Sequence, residues 1–144
     1  MEKIQATAVE VNGKGVLLRG PSGSGKSDLA VRLIDRGARL IADDYVVAEP
    51  NADAASLAPP EAIAGMLEIR GTGLVKMEYA RDVPLRLVVD LVPIKEIERM
   101  PEPGEISICG APVPVIKLNP FHASAPIILE MELAAIDGDL EVVR

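Results

Sequence analysis

An α/β domain with a mixed, strand-rich sheet built around a phosphate-binding loop is the fold class this sequence predicts. Three observations predict it. Gly20-Pro21-Ser22-Gly23-Ser24-Gly25-Lys26-Ser27 is a complete G-x-x-x-x-G-K-[ST] motif, set between an apolar run that reads as a buried strand and residues 28–34, whose apolar positions recur at helical spacing. Along the rest of the chain, strand-like segments outnumber helical ones, which favours a mixed sheet over a doubly wound parallel one. The 144 residues are 49% apolar, yet Phe121, Tyr45 and Tyr79 are the aromatic residues, so Val, Leu, Ile and Ala must fill the core of one domain spanning 1–144.

Residues 4–11 alternate and are rich in β-branched side chains, which predicts a strand. Asn12-Gly13 turns the chain tightly into a second strand at 16–19, making a hairpin that feeds the phosphate loop. The following helix should run to about Arg36 and stop at Gly37. A strand is expected at 39–47, then mainly loop at 50–60, where Asn, Asp, Ser and three prolines gather. Residues 66–70 and 74–78 read as strands about the Gly71-Thr72-Gly73 turn, residues 85–92 as a strong strand, and 94–100 as a short helix or turn. A hairpin is expected from 106–108 and 113–118. Ser124 can cap a last helix with Pro126 in its first turn and Ile127, Ile128, Met131, Ala134 and Ala135 as its apolar face.

Charge and composition exclude several function classes. Acidic residues number 22 against 15 basic, a net charge of −7, which leaves no basic stripe for nucleic acid or an anionic membrane. No apolar run approaches membrane-spanning length, and a cytoplasmic protein is the expectation. With Cys109 as the lone cysteine, neither an intrachain disulfide nor a Cys-based zinc site is available.

The motif itself carries a chemistry. Backbone N–H groups of the glycine-rich turn and the positive end of the helix face phosphate oxygens. Lys26 reaches toward the β- and γ-phosphates, and the Ser27 hydroxyl suits Mg²⁺, so the loop predicts binding of a nucleoside triphosphate or a close relative. Transfer further needs metal-side carboxylates and a group that handles the acceptor's proton. Asp43 and Asp44 end the apolar run 40–42, one helix and one strand beyond Lys26. Because side chains alternate along a strand, the two should divide those tasks; the competing reading is an exposed pair opening a turn. Glu68 is a second candidate metal ligand, against the reading of a solvated strand face, and Asp90 competes for the acidic role on pattern alone. His122 reads as a solvated loop residue, Cys109 as a small core residue, and Arg81 and Arg99 as either phosphate-stabilising or surface charges.

Three segments together resemble one family: 20–28, 36–44 with Asp43-Asp44 at its end, and 67–74 with Glu68-Ile69-Arg70-Gly71-Thr72-Gly73. The chain resembles the catalytic domain of HPr serine kinase/phosphorylase in a short form. The resemblance implies a small domain related to phosphoenolpyruvate carboxykinase, which uses ATP and Mg²⁺ to phosphorylate a serine of an HPr-like phosphocarrier of the phosphotransferase system. It implies Lys26 as the catalytic lysine, Ser27 and Glu68 as Mg²⁺ ligands, and Arg99 as a downstream active-site arginine. The aspartate pair would include the base, Asp44 ahead of Asp43. It further implies a homo-oligomer, a hexamer by resemblance. Two departures bear on activity. Gln5 stands where the family has a first-strand histidine, and 117–122 replaces the family's Pro-Gly-Arg loop, so reverse phosphorolysis is expected to be weak or absent. The rival from another class is a nucleotide-sensing module without efficient transfer; a small-molecule kinase is the third reading.

Overall fold

The computed structural model describes residues 1–143. Eleven strands and two α-helices are found among them: β1 (Glu2–Gln5), β2 (Thr7–Val11), β3 (Lys14–Arg19), α1 (Lys26–Asp35), β4 (Arg39–Ala42), β5 (Tyr45–Asn51), β6 (Ala54–Ala58), β7 (Met66–Ile69), β8 (Gly73–Lys76), β9 (Val83–Leu91), β10 (Gly104–Ile108), β11 (Ala111–Leu118) and α2 (Ala125–Ile136). Nine strands form one mixed sheet in the order β1-β5-β6-β9-β3-β2-β4, with β11 also on β9 and β10 on β11. Strands β3, β9 and β11 run parallel, the remaining pairs of this sheet antiparallel. The predicted α/β class with a strand-rich mixed sheet is the observed one.

Alternation along β3 divides the core. Val16 and Leu18 point to one face, where they meet Leu29, Ala30 and Leu33 of α1 and Leu129 and Leu133 of α2. Leu17 points to the other, among Val46, Ala48, Leu57, Ile108 and Val113. β9 serves both clusters through a bulge. Gly15 pairs with Leu85 but Val16 with Leu87, so Arg86 is an extra residue. Leu85 consequently joins the second cluster, while Leu87, Val89 and Leu91 join the first. Gly15 is needed here, because a Cβ would sit 2.9 Å from the Pro84 carbonyl oxygen. Asp137, just past α2, holds the bulge by accepting from Arg86 at 3.3 Å and pairing with Lys14. On the far side Arg36 ties α1 to Glu130 of α2 at 2.7 Å.

Four expectations need correction. The strand expected at 4–11 breaks at Ala6, so that β1 pairs with β5 while β2 pairs with β3 and β4. The strand expected at 39–47 breaks at Asp43-Asp44, where Asp44 is left-handed at φ 70°. Much of 50–60 is strand: Asn51 faces Ala54 across a two-residue turn, and β6 continues into the sheet interior. The helix α2 buries Ala125, Pro126, Leu129 and Leu133, leaving Ile127, Ile128 and Met131 at 44%, 37% and 50% exposure. Nearly every position of α2 is apolar, so its pattern could not choose a face; the seat against β3 and α1 did.

The β10–β11 hairpin turns at Cys109-Gly110, both left-handed at φ 52° and 78°. Cys109 Sγ donates to Ala48 O at 3.4 Å, and its N–H donates to Glu2 Oε1 at 3.0 Å. Burial first, and the neighbouring Glu2 charge second, push the thiol above its ordinary value of 9.0. Iodoacetamide at pH 8 should therefore alkylate Cys109 several-fold more slowly in the folded chain than in urea, because the thiolate is the reacting species. Equal rates in the two states would refute a raised thiol. No helix among the described residues is long and apolar enough to cross a membrane.

Candidate active site

The phosphate loop lies between β3 and α1. Gly23 and Gly25 are left-handed at φ 81° and 97°, and Ser24 N–H closes a turn onto Pro21 O at 3.0 Å. Gly25 is the residue before α1, and Lys26 and Ser27 are its first two helical residues, so the open N–H groups of that helix end face the loop. Lys26 Nζ donates to Gly20 O and, at 3.2 Å, to Pro21 O, which lays the ammonium over the loop. Ser24 Oγ is buried with no hydrogen-bond partner among the described residues. A nest of backbone donors, an ammonium and an orphaned hydroxyl is a donor set that fits phosphate.

Asp43 is the hub of the side chains beside it. Its Oδ1 accepts from the Ser27 hydroxyl at 3.1 Å and from the Thr7 hydroxyl at 2.9 Å, and its Oδ2 accepts from Glu68 N–H at 3.2 Å. Residues from β2, α1, the β4–β5 break and β7 thus converge on one carboxylate. The break has a local cause: Tyr45 N–H bonds Asp43 O at 2.8 Å, and Ala6 N–H bonds Asp44 O at 3.0 Å, so the chain kinks across the Ala6 bend. Asp44 itself is exposed, and its carboxylate has no hydrogen-bond or ion-pair partner among the described residues. One carboxylate of the pair is thus tied to Ser27 and the other is open.

Other candidates fall at varying distance from this hub. Glu68 is brought to it by its backbone, while its side chain is exposed. Gln5, the last residue of β1, is exposed and faces Tyr45, the neighbour of Asp44. Arg99 lies in the exposed stretch beyond the Ile94–Glu96 turn, and its guanidinium has no partner among the described residues. Asp90 is not part of the hub: Arg19 holds it in a two-pronged pair at 2.8 and 3.0 Å. Thr7 is the residue sequence reasoning missed. A threonine opening a β-branched strand looks like any other strand residue, yet it is the polar side chain found fully buried here. His122, read as a solvated loop residue, is exposed, but its carbonyl accepts from Arg32 of α1 at 3.1 Å.

The residues present suit a magnesium ion carried on nucleotide phosphates. No group of three or more His, Cys, Asp or Glu side chains gathers into a metal cage among the described residues. Mg²⁺ bound with a nucleotide needs only one or two protein ligands, since phosphates and water supply the remainder. Ser27, whose hydroxyl donates to Asp43, keeps its oxygen lone pairs free for that purpose.

The chain is 33% identical over 141 residues to the HPr kinase/phosphorylase of Chloroherpeton thalassium, covering 90% of this chain and 41% of that protein. Against the HPr kinase/phosphorylase of Geobacillus kaustophilus it is 33% identical over 150 residues, covering 96% and 48%. The chain therefore spans less than half the length of these curated relatives. In architecture it matches the solved Hpr(Ser) kinase/phosphatase from Coxiella burnetii with a TM-score of 0.82 at 23% identity, over 92% of this chain and 94% of that one. At that identity the match speaks for the fold. The family model described as the HPr Serine kinase C-terminal domain covers residues 1–137, and the chain belongs to that family.

Proposed function

We propose that this domain is an ATP- and Mg²⁺-dependent protein serine kinase acting on an HPr-like phosphocarrier. The observation that carries the reading is the asymmetry of the aspartate pair beside a phosphate loop: Asp43 is bonded to Ser27 and Asp44 is open. In the proposed step the acceptor serine oxygen attacks the γ-phosphorus in line, the bond to the β-bridging oxygen breaks, and the serine proton passes to Asp44. The products are phosphoserine and ADP. Lys26 exchanges the carbonyls of Gly20 and Pro21 for phosphate oxygens and, with the loop N–H groups, offsets the developing charge. Mg²⁺, when bound, would neutralise charge across the β- and γ-phosphates; Ser27 and Glu68 are its proposed ligands. Arg99 is proposed to reach the transferring phosphate from the exposed 98–103 segment when the acceptor is bound. The setting proposed is cytoplasmic, with a homo-oligomer, a hexamer by resemblance, as the working form.

The second reading, a nucleotide sensor without efficient transfer, rests on Gln5: it sits one residue from the Ala6–Asp44 bond and cannot titrate near neutral pH. Both readings meet one experiment. An HPr-like phosphocarrier incubated with the protein and MgATP should gain a single phosphate on serine, seen by intact mass, and Lys26→Ala should abolish the gain. Tight MgATP binding with no transfer to any phosphocarrier would favour the sensor.

A further inference from the structure

Phe121 is the lone phenylalanine of a chain with almost no aromatic residues, and the residue is 68% exposed. An apolar ring left in water contributes nothing to the core, yet its backbone is held from several sides. Pro120 precedes it with a fixed φ and is itself buried. Phe121 N–H donates to Asn119 Oδ1 at 2.9 Å. Arg32, one and a half turns into α1, donates to the carbonyls of both flanking residues, Pro120 and His122. The grip sets the ring against the start of the phosphate-loop helix: a Cβ on Gly25 would lie 2.8 Å from Pro120 Cγ and 3.3 Å from Phe121 Cε1.

We propose that Phe121 is the platform on which the base of the bound nucleotide stacks. The inference rests on the phosphate-loop reading of residues 20–27 and extends it to the other end of the ligand. Phosphates seated on the N–H groups of Gly25, Lys26 and Ser27 place the nucleoside beside that helix end, against which the exposed Phe121 is anchored. Stacking needs only a π-face, so it accepts any base and favours the larger purines. Selection among triphosphates should accordingly be graded by ring size, with no hydrogen-bond code.

Binding titrations on wild type, Phe121→Ala and Phe121→Tyr with MgATP, MgCTP and magnesium tripolyphosphate test this. Because the ring is exposed, its truncation leaves the core intact. Phe121→Ala should weaken MgATP roughly 10-fold and MgCTP less, with tripolyphosphate unchanged, and Phe121→Tyr should stay within about twofold of wild type. Unchanged MgATP affinity in Phe121→Ala would overturn the proposal and reassign the ring, with the exposed Ile127, Ile128 and Met131 of α2, to contact with a protein. Equal loss of MgATP and tripolyphosphate would overturn it as a loop distortion. Wild-type protein that binds neither ligand would instead sink the phosphate-loop reading itself.

Discussion

Asp44→Asn is expected to slow phosphoryl transfer about 10²- to 10⁴-fold while leaving MgATP affinity within about twofold. A general base needs a lone pair that is not already committed. The Asp43 carboxylate accepts three hydrogen bonds, from Thr7, Ser27 and the Glu68 N–H, whereas Asp44 is exposed with none. Asparagine suits the test because it tolerates the left-handed φ of 70° at this position and so removes the charge without moving the chain. Asp43→Asn should fail differently. An amide can no longer accept on all sides, so Ser27 loses the partner that orients its hydroxyl, and the Mg²⁺ needed for half-maximal ATP binding should rise about 10- to 100-fold. Thr7→Val, which keeps shape and drops the hydroxyl, should move the same Mg²⁺ titration in the same direction by less, and Thr7→Ser should restore it. Single-turnover transfer at saturating Mg²⁺ separates the pair. If Asp43→Asn were inert there and Asp44→Asn active, the two roles would have to be exchanged.

What could be read from the residues was local, and what could not was decided by partners distant in sequence. The Asn12-Gly13 turn and the Gly37 stop are governed by backbone rules that act over a few residues, and both stand as read: Val11 pairs with Lys14 across the turn, and Gly37 is left-handed at φ 106° one residue past the α1 cap. The broken strands are another matter. Nothing in Ile4 to Val11 announces that its first half pairs with β5 and its second with β3; the break at Ala6 arises because Asp44 O, 38 positions on, claims its N–H. Residues 50–60 read as loop since prolines and Asn are poor strand formers, yet Pro50 sits in β5 opposite Ala55 and the hairpin survives through pairing with β9. The site divides in the same way. The acidic pair was visible as a pair, but which carboxylate is occupied depends on Thr7, whose role rests on a contact spanning 36 residues.

Gly25→Ala is expected to cost roughly 3 kcal/mol of stability and to abolish measurable MgATP binding, while Gly23→Ala costs about 1–2 kcal/mol and weakens binding only modestly. Both glycines are left-handed, at φ 97° and 81°, so both substitutions carry the strain of an L-residue in that region. They differ in what a Cβ would meet. At Gly23 nothing lies within 4 Å, whereas at Gly25 the new methyl falls 2.8 Å from Pro120 Cγ and 3.3 Å from the Phe121 ring. Relief requires moving either the 119–122 loop, which Arg32 grips, or the first turn of α1, which carries Lys26 and Ser27. Movement of that turn by a few tenths of an ångström also disturbs the Ser27–Asp43 bond on which metal binding is proposed to depend. Thermal unfolding with and without MgATP reads both effects, and the ligand-induced rise in Tm should persist in Gly23→Ala and vanish in Gly25→Ala. Equal behaviour of the two variants would mean that the contact between the phosphate loop and the 119–122 loop yields in solution, and that strain at the glycines alone sets the loop's tolerance.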